Sequence, residues 1–545
     1  MTTEGSTVSG SSPQTVRDAV FDVLRRLGMT TVFANPGSTE IPFLTGLPDD
    51  IAFRLALHEG SVVGTAAGWA IATGRPAFVN LHTTAGLANA AGALATARTN
   101  RAPLVVVAGQ QDRRHLAYDP FLAGRLESLI GDYPVWTGNP LRAQDVPAAI
   151  ARAHHEAITG AGPAIVVVPM DDWVQPAESR RGAAPLDLRR GAATLGAELD
   201  DLAQRIDGSR NPALVVGAAA DDAASWAALT ALAERLSAPV WQEPFGARAG
   251  FPQDHPSFAG HLPPGRSGVR TALAEHDLLL VLGAPVLRQY PCEPGDLVPE
   301  GATVVQVTPY ADETHHSIAD LALVADVSRT CRALVERIGA RTGAPAAFRV
   351  PADPLPEPTG GEPMRPGHVF DLLSAGLPAD TILVEESPSS RPELHRRVPA
   401  RAPLGFVSAA AGGLGFGLPA AIGLKSGAPE RPVVAVLGDG SSMYGIQGLW
   451  SAAHYEIGVL FLVLSNGGYA IMDRLAEQSG QGKPPWPSFT EVRISDIAAG
   501  LGCPALRVDS YEQLASTLPE ILQGLATRTT PLVLDIAVAA DLTYG

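Results

Sequence analysis

Short apolar runs that end in a polar residue or glycine and lead into a helix-like segment recur along the whole chain. "TTVFA" (30–34), "IAFRLAL" (51–57), "PAFVN" (76–80) and "PLVVVAG" (103–109) form a first group. "PALVVGAA" (212–219), "APVWQE" (238–243), "DLLLVLGA" (277–284) and "TVVQVT" (303–308) form a second. "TILVEE" (381–386), "PVVAVLGDG" (432–440), "GVLFLVLSN" (458–466) and "PLVLDIAV" (531–538) form a third. Runs this short and this apolar suit strands buried on both faces, the condition of a parallel sheet flanked by crossover helices. Two Pro-, Gly- and Arg-rich stretches, 177–194 and 341–367, break the pattern and read as linkers. The expected fold is α/β: three doubly wound parallel-sheet domains at 14–176, 195–340 and 366–541. No short-period repeat points to a solenoid.

Composition narrows the class of function. A chain of 545 residues with 46% apolar residues supplies several cores. A net charge of -16 repels nucleic acid and anionic membrane, so neither is expected as a partner. Cys292, Cys331 and Cys503 are odd in number and in no metal-like spacing, which suits a reduced interior and predicts no zinc site. The opening "MTTEGSTVSGSSPQT" lacks the basic and apolar regions of a signal peptide, and runs such as "LLLVLGAPVL" are too short to span a bilayer. A cytoplasmic enzyme with a small-molecule substrate is the expectation.

Ligands of open parallel sheets bind beyond the carboxyl ends of the strands. Just past the first four strands come "NPGSTE" (35–40), "HEG" (58–60), "HTTAG" (82–86) and "GQQD" (109–112). Topology alone thus gathers Asn35, Ser38, Glu59, His82 and Gln110 on one sheet edge. Taken singly, each has an ordinary use: Ser38 as a helix cap, "NPG" as a turn, His82 as a packed imidazole. Glu59 is different, because it opens the small-residue helix "GSVVGTAAGWAIA", where a carboxylate is poorly solvated and needs a partner. A second small-residue helix is expected over "GLANAAGALATA" (86–97).

In the third group a strand ends at "GDG" (438–440), a helix follows, and the next strand ends at Ser465-Asn466. This βαβ unit sets Asp439 and Asn466 side by side as two hard oxygen donors for a small cation. Glycines allow close backbone approach, the turn after Gly440 favours an anion, and a carbonyl near Gly468 completes the donor set. Two unrelated Asp-Gly and Asn-Gly turns are the plain alternative.

"GDG" followed by "SNGG" resembles the thiamine diphosphate signature, with Ser465 in place of its first Asn and Asn466 kept at the metal position. Nearly the whole chain resembles the thiamine diphosphate-dependent 2-oxo acid decarboxylases of the benzoylformate decarboxylase type, through "NPGSTEIPFL", "LALHEGSVVG", "NLHTTAG", "AGQQ", "DDW", "AAGGLGFGLPAAIG" and "GDGSSMYGIQGLW". The resemblance implies an N-terminal pyrimidine-binding domain, a Rossmann-like middle domain and a C-terminal diphosphate-binding domain. It also implies a homodimer or homotetramer with active sites at subunit interfaces, and Mg²⁺ or Ca²⁺ beside thiamine diphosphate. Glu59 resembles the glutamate on the aminopyrimidine ring, Ser38 the serine on the substrate carboxylate, and His82 the histidine beside the reacting carbon. Asp439, Asn466 and the Gly468 carbonyl resemble the metal ligands, Ser441 and Ser389 diphosphate contacts, and Leu414 the wedge that bends the cofactor. The implied cofactor contacts extend to Asn35, Pro36, Gly37, Gly412, Gly440, Tyr469, Ala470 and Ile471. The implied acyl pocket is Phe121, Leu122, Ser408, Ile471, Met472 and Leu475. The implied reaction is loss of carbon dioxide from a 2-oxo acid and release of an aldehyde.

Departures from the family pattern carry further expectations. Tyr290 stands where those enzymes have a second histidine, and a phenol is a weaker acid than imidazolium at neutral pH. Slower protonation would leave time for capture by a second aldehyde, so carboligation is an expected side activity. Pro388 replaces a hydroxyl residue near the diphosphate. The competing classes are a dedicated carboligase or C–C lyase of the acetolactate synthase kind and a non-catalytic cofactor-binding protein. His82 in place of a Gly-Pro-Gly turn argues against the first, and retention of Glu59 with Asp439 and Asn466 argues against the second.

Overall fold

The computed structural model describes residues 14–178, 196–341, 347–359, 361–482 and 484–540. The chain divides into two compact units, one ending at Leu188 and one starting at Arg189. The first linker lies almost wholly outside the described residues.

The first unit is built on β1 (Thr31–Asn35), β2 (Ala52–Leu55), β3 (Ala77–Leu81), β4 (Leu104–Gln110), β5 (Trp136–Gly138) and β6 (Pro163–Pro169). They form one parallel sheet in the order β2-β1-β3-β4-β6-β5. β3, β4 and β6 are buried at every position, as their unbroken apolar runs require. On one face, Phe43 packs against Trp173 (ring centroids 4.5 Å apart), Phe21 and Phe78. Register sets the edge that matters: Asn35 lies opposite Leu81, and Leu81 opposite Ala108, so the segments leaving β1, β3 and β4 emerge together.

The second unit carries two parallel sheets. One comprises β7 (Pro212–Val216), β8 (Val240–Gln242), β9 (Phe258–His261), β10 (Leu278–Leu282), β11 (Thr303–Thr308) and β12 (Leu321–Val324), ordered β12-β11-β10-β7-β8-β9. The other comprises β13 (Ile382–Glu386), β14 (Phe406–Ser408), β15 (Val433–Gly438), β16 (Leu460–Ser465), β17 (Ala505–Val508) and β18 (Leu532–Ala537), ordered β14-β13-β15-β16-β18-β17. The two sheets are joined by packing as well as by chain: Trp226 and Ala249, from the β7–β9 region, lie in the hydrophobic core of the last sheet. Gln253 N donates to Ala400 O (2.9 Å), and Asp221 accepts from Leu404 N (2.8 Å). The second linker is irregular in its described residues up to the helix Pro366–Gly376, with Phe348 N and Leu355 N tied to Pro256 O and Asp371.

Three α/β sheets are therefore present, as the alternating runs imply. Of the strands those runs do not include, β5, β9, β12, β14 and β17 lie at sheet edges, whereas β6 is central and buried throughout. An edge strand packs against one neighbour only and does not need a continuous apolar run. Among the described residues, no helix is long and apolar enough to cross a membrane.

Candidate active site

Glu59 begins the helix Glu59–Thr73. His58 caps that helix by accepting from Gly60 N (3.1 Å), and Gly74 ends it in the left-handed conformation (φ 65°). The helix is buried around most of its circumference, which leaves the Glu59 carboxylate only 8% exposed. Oε1 accepts from Asn35 Nδ2 (3.2 Å) at the end of β1, and Oε2 accepts from Asn89 Nδ2 (3.1 Å). The partner expected of a poorly solvated carboxylate is thus a pair of neutral amides, which orient the group without cancelling its charge. Asn89 is within reach because the segment after β3 is not one helix. It forms two, Thr83–Asn89 and Ala91–Thr99, which meet at Ala90.

His82 joins β3 to the first of those helices and keeps 15% of its side chain exposed. Its Nδ1 lies 3.0 Å from Glu40 Oε2 and 3.0 Å from Thr39 Oγ1. Glu40 is 1% exposed, accepts from Gly37 N (2.8 Å), and accepts the Thr39 hydroxyl on its other oxygen. Gly37 and Gly109 make the room: a Cβ on the first would collide with the His82 ring, and one on the second with Glu40 Oε1. A carboxylate facing Nδ1 assigns the ring proton to that nitrogen and leaves Nε2 as the free one. Thr39 and Glu40 escaped the sequence reading, although "NPGSTE" contains both. The signal was a carboxylate three residues after a glycine at a strand end, too close to be solvated and aimed back at its own turn.

The remaining candidates of this unit separate. Ser38 is exposed on the turn Ser38–Glu40 and makes no cap bond with its side chain. Pro36 is exposed beside it. Gln110 faces elsewhere: its Nε2 donates to Gly124 O (2.7 Å), and its Oε1 accepts from Gly124 N (3.1 Å) and Gln111 N (2.9 Å). That residue braces a loop instead of presenting an amide at the edge. Phe121 is 87% exposed on the same loop, next to Leu122 in a left-handed conformation (φ 67°).

In the second unit, Asp439 starts the helical turn after β15 and is buried. Its Oδ1 accepts from Gly440 N (2.7 Å) and its Oδ2 from Gly467 N (2.7 Å). Asn466 Oδ1 accepts from Gly468 N (3.0 Å). Gly467 needs its freedom (φ 71°), and a Cβ on Gly440 would press on the Tyr469 ring (2.8 Å). Ser441 donates its hydroxyl to Glu386 O (2.6 Å) and accepts from Gly438 N (3.0 Å), while Ser389 Oγ accepts from Ile471 N (3.0 Å). Ser389, Leu414, Asp439, Gly440, Ser441, Asn466, Gly468, Tyr469 and Ile471 line a single cavity of about 60 Å³. Gly412 and Leu414 border its neighbour of about 120 Å³, together with Pro388 and Arg391. Ala470 is buried behind this bed, Ser408 is buried on β14, and Ile471 and Leu475 are half-buried. Met472 and Tyr290 stand out from the surface, 44% and 70% exposed.

Glu386, at the end of β13, is a second residue that the sequence reading missed. Its buried carboxylate accepts from the backbone N–H groups of Gly415 (2.6 Å) and Gly417 and so holds the loop that carries Leu414. Burial pushes its carboxyl up to about 7, against the opposing pull of those N–H groups. Burial also pushes the Asp439 carboxyl above its usual range, and the donors from Gly467 and Gly440 oppose it.

These donors suit a diphosphate bridged by a divalent cation. Asp439 and Asn466 present hard oxygens with lone pairs beyond those already bonded, glycines let the backbone come close, and a buried carboxylate favours a cation as counter-charge. Among the described residues no cluster of three or more His, Cys, Asp or Glu forms a metal site. A cation here would rest on one carboxylate, one amide and backbone oxygen.

The family models for the thiamine pyrophosphate enzymes match in sequence: the N-terminal TPP binding domain over residues 14–129, the central domain over 199–334 and the C-terminal TPP binding domain over 390–536. The chain belongs to this family. It is 41% identical over 521 residues to a benzoylformate decarboxylase of Pseudomonas aeruginosa, covering 93% of this chain and 97% of that one. A solved thiamine diphosphate-dependent 4-hydroxybenzoylformate decarboxylase of Rhodococcus jostii superposes with a TM-score of 0.92 at 35% identity, covering 97% of this chain and 100% of that one. A benzoylformate decarboxylase of Polynucleobacter necessarius gives a TM-score of 0.92 at 34% identity, covering 97% and 99%.

Proposed function

We propose that this chain is a thiamine diphosphate-dependent 2-oxo acid decarboxylase, with Mg²⁺ or Ca²⁺ as its cation, that converts an aromatic or medium aliphatic 2-oxo acid to an aldehyde and carbon dioxide. The observation that carries this reading is the placement on one sheet edge of a carboxylate held by two amides, Glu59, and an imidazole braced by a buried carboxylate, His82. The named relatives, which act on benzoylformate and its 4-hydroxy derivative, support an aromatic acid.

Thiamine diphosphate held here would supply a nucleophilic ring carbon and an electron sink for the pair left behind as carbon dioxide departs. The chain does the rest. Glu59 would hold a proton within reach of the aminopyrimidine ring, and Asn35 and Asn89 keep its carboxylate aimed. Asp439, Asn466 and the Gly468 carbonyl hold the cation. Because the Ser441 hydroxyl already serves Glu386 O and the Gly440 N–H serves Asp439, the Ser441 backbone N–H is what remains for the diphosphate, with Ser389 and Tyr469 at the rim. Leu414 supplies the apolar wedge. The exposed Ser38 hydroxyl takes the substrate carboxylate, and His82, once its Nε2 has taken up a proton, donates it from there while Nδ1 keeps its contact with Glu40. Phe121, Leu122, Ser408, Ile471, Met472 and Leu475 shape the acyl pocket. Tyr290 supplies a phenol and not an imidazolium, which supports carboligation as a side activity.

The same reading assigns 14–176 to the pyrimidine side, 195–340 to the middle domain and 366–541 to the diphosphate side. It makes the assembly a homodimer or homotetramer, with active sites at subunit interfaces. Apolar side chains exposed on the first unit, Tyr118, Phe121 and Leu141, support association. Three unpaired cysteines support a cytoplasmic setting.

The test is incubation with thiamine diphosphate, magnesium and a panel of 2-oxo acids, with aldehyde and 2-hydroxyketone assayed separately. Aldehyde in step with carbon dioxide is expected. Hydroxyketone without aldehyde across the panel would transfer the assignment to a dedicated carboligase.

A further inference from the structure

One cavity of the second unit does not belong to the bed around Asp439. It encloses about 500 Å³, within the range of roughly 300–1,000 Å³ typical of small-molecule sites. β9 and the segment after β8 reach it, and the helix Arg391–Arg397 and the linker at Arg349 close it. Phe245, Phe258 and five prolines give it stiff apolar walls, and no Asp or Glu lines it.

Its polar groups are few and unevenly committed. Arg391 is paired with Glu385 (2.7 Å) and Arg396 with Glu393 (2.9 Å). Arg349 spends only its Nε, on Gln253 O (3.1 Å), and its terminal nitrogens have no partner among the described residues. His261 and His395 also line the cavity, stacked 3.8 Å apart with their planes 9° from parallel. Burial keeps both rings neutral, holding His261 down to about 3 and His395 well below its usual value. The His395 Nε2 is buried and has no hydrogen-bond partner among the described residues, which a closed polar site would not tolerate.

We propose that this cavity binds a small aryl carboxylate. The carboxylate pairs with the open fork of Arg349, and the flat ring lies against the phenylalanine and proline walls beside the stacked rings of His261 and His395. One uncommitted guanidinium matches one carboxylate in the two-pronged geometry, whereas a doubly charged phosphate ester would need further free cations that Arg391 and Arg396 do not supply. The site abuts the cofactor bed, because Arg391 borders both this cavity and the smaller one beside Leu414. It stands apart from the decarboxylase reading and does not depend on it.

The experiment is calorimetric titration of the full chain, saturated with thiamine diphosphate and magnesium, using 1-naphthylacetate as probe and 1-naphthylacetamide as its uncharged counterpart. Expected are binding of the acid, at least tenfold weaker binding of the amide, and at least a tenfold loss for Arg349→Leu with none for Ser38→Ala. Pro263→Gly, which removes one stiff wall, weakens binding of the acid and the amide alike. Absence of binding, or an affinity unchanged in Arg349→Leu, overturns the proposal. So does a loss confined to Ser38→Ala, which would place the probe elsewhere. Failure of the 2-oxo acid assay would leave all of these outcomes as they are.

Discussion

The first and last sheets share one strand order: renumbered within each sheet, both run 2-1-3-4-6-5, while the middle sheet runs 3-2-1-4-5-6. Their strand ends are nevertheless built from different materials. In the first sheet the buried acids are held by side chains: Glu59 by the amides of Asn35 and Asn89, and Glu40 by the Thr39 hydroxyl and the His82 imidazole, with a single backbone donor from Gly37. In the last sheet the two acids nearest the bed are held by backbone N–H groups of glycines, Asp439 by Gly440 and Gly467 and Glu386 by Gly415 and Gly417, while Glu385 and Asp535 pair with the arginines Arg391 and Arg507. Side-chain partners leave a carboxylate able to exchange a proton within a responsive network. Glycine N–H groups fix a carboxylate and let the backbone approach an anion closely. One topology thus carries two kinds of edge, one suited to proton transfer and one to holding charge.

The most severe way to break this contrast is Glu59→Gln. The amide keeps the shape and both neighbours but cannot exchange the proton, so kcat is expected to fall by about 10³-fold or more, within the usual range for a lost acid–base group. Cofactor retention, followed by quenching of intrinsic fluorescence, should be unchanged. Parallel loss of cofactor would mean that this edge holds charge after all.

The matching change on the other edge is Asp439→Ala, together with metal removal. Dialysis against a chelator should release the cofactor from the wild-type chain, and added magnesium should restore binding and activity. In Asp439→Ala the same magnesium concentration should fail, with cofactor binding weakened on the order of 100-fold. Full restoration in the variant would remove Asp439 from the cation site.

A smaller effect sharpens the contrast within the first edge. Glu40→Gln leaves a group able to touch His82 Nδ1 but deprives the ring of a negative partner, so kcat should fall about 10- to 100-fold with KM little changed. Glu40→Asp, which keeps the charge on a shorter arm, should recover part of that loss. Equal losses in both variants would make Glu40 a packing residue.

What could be read from the residues follows the same division. The central strands were legible because burial on two faces forces an unbroken apolar run, as in "PAFVN" and "PLVVVAG". The edge strands β5, β9, β12, β14 and β17 were not, since one-sided packing imposes no such run, while central β6 was passed over although "PAIVVVP" carries the same signal. The bed around Asp439 was legible because glycines at strand ends mark close backbone approach at fixed spacing. Thr39 and Glu40 were hidden inside "NPGSTE", because their role depends on a ring supplied 42 residues later by a strand lying alongside. Gln110 misled for the opposite reason: topology put it on the correct edge, but the loop that returns at Gly124 claimed its amide.

The mildest test concerns stability and uses Glu386. Its carboxyl titrates at about 7 in the folded chain against 4.5 as a free group, with burial as the leading cause. A carboxyl with a raised folded value is protonated in both states below about pH 4.5 and then costs nothing. As pH rises, the unfolded chain ionises first, so the folded state loses stability progressively and the full cost is reached above about pH 7. The size is on the order of 3–4 kcal/mol, from about 7 in the folded chain against 4.5 free at about 1.4 kcal/mol per pH unit. Glu386→Gln removes the charge while keeping one acceptor for the Gly415 and Gly417 N–H groups. It should melt slightly lower than wild type at pH 5 through the weakened clamp, yet lose less stability between pH 5 and pH 8. Melting curves of both proteins at those two pH values measure the difference directly. An identical pH dependence would show that the glycine N–H groups hold Glu386 ionised at little cost, which would make this clamp as stable a charge-holding device as the one at Asp439.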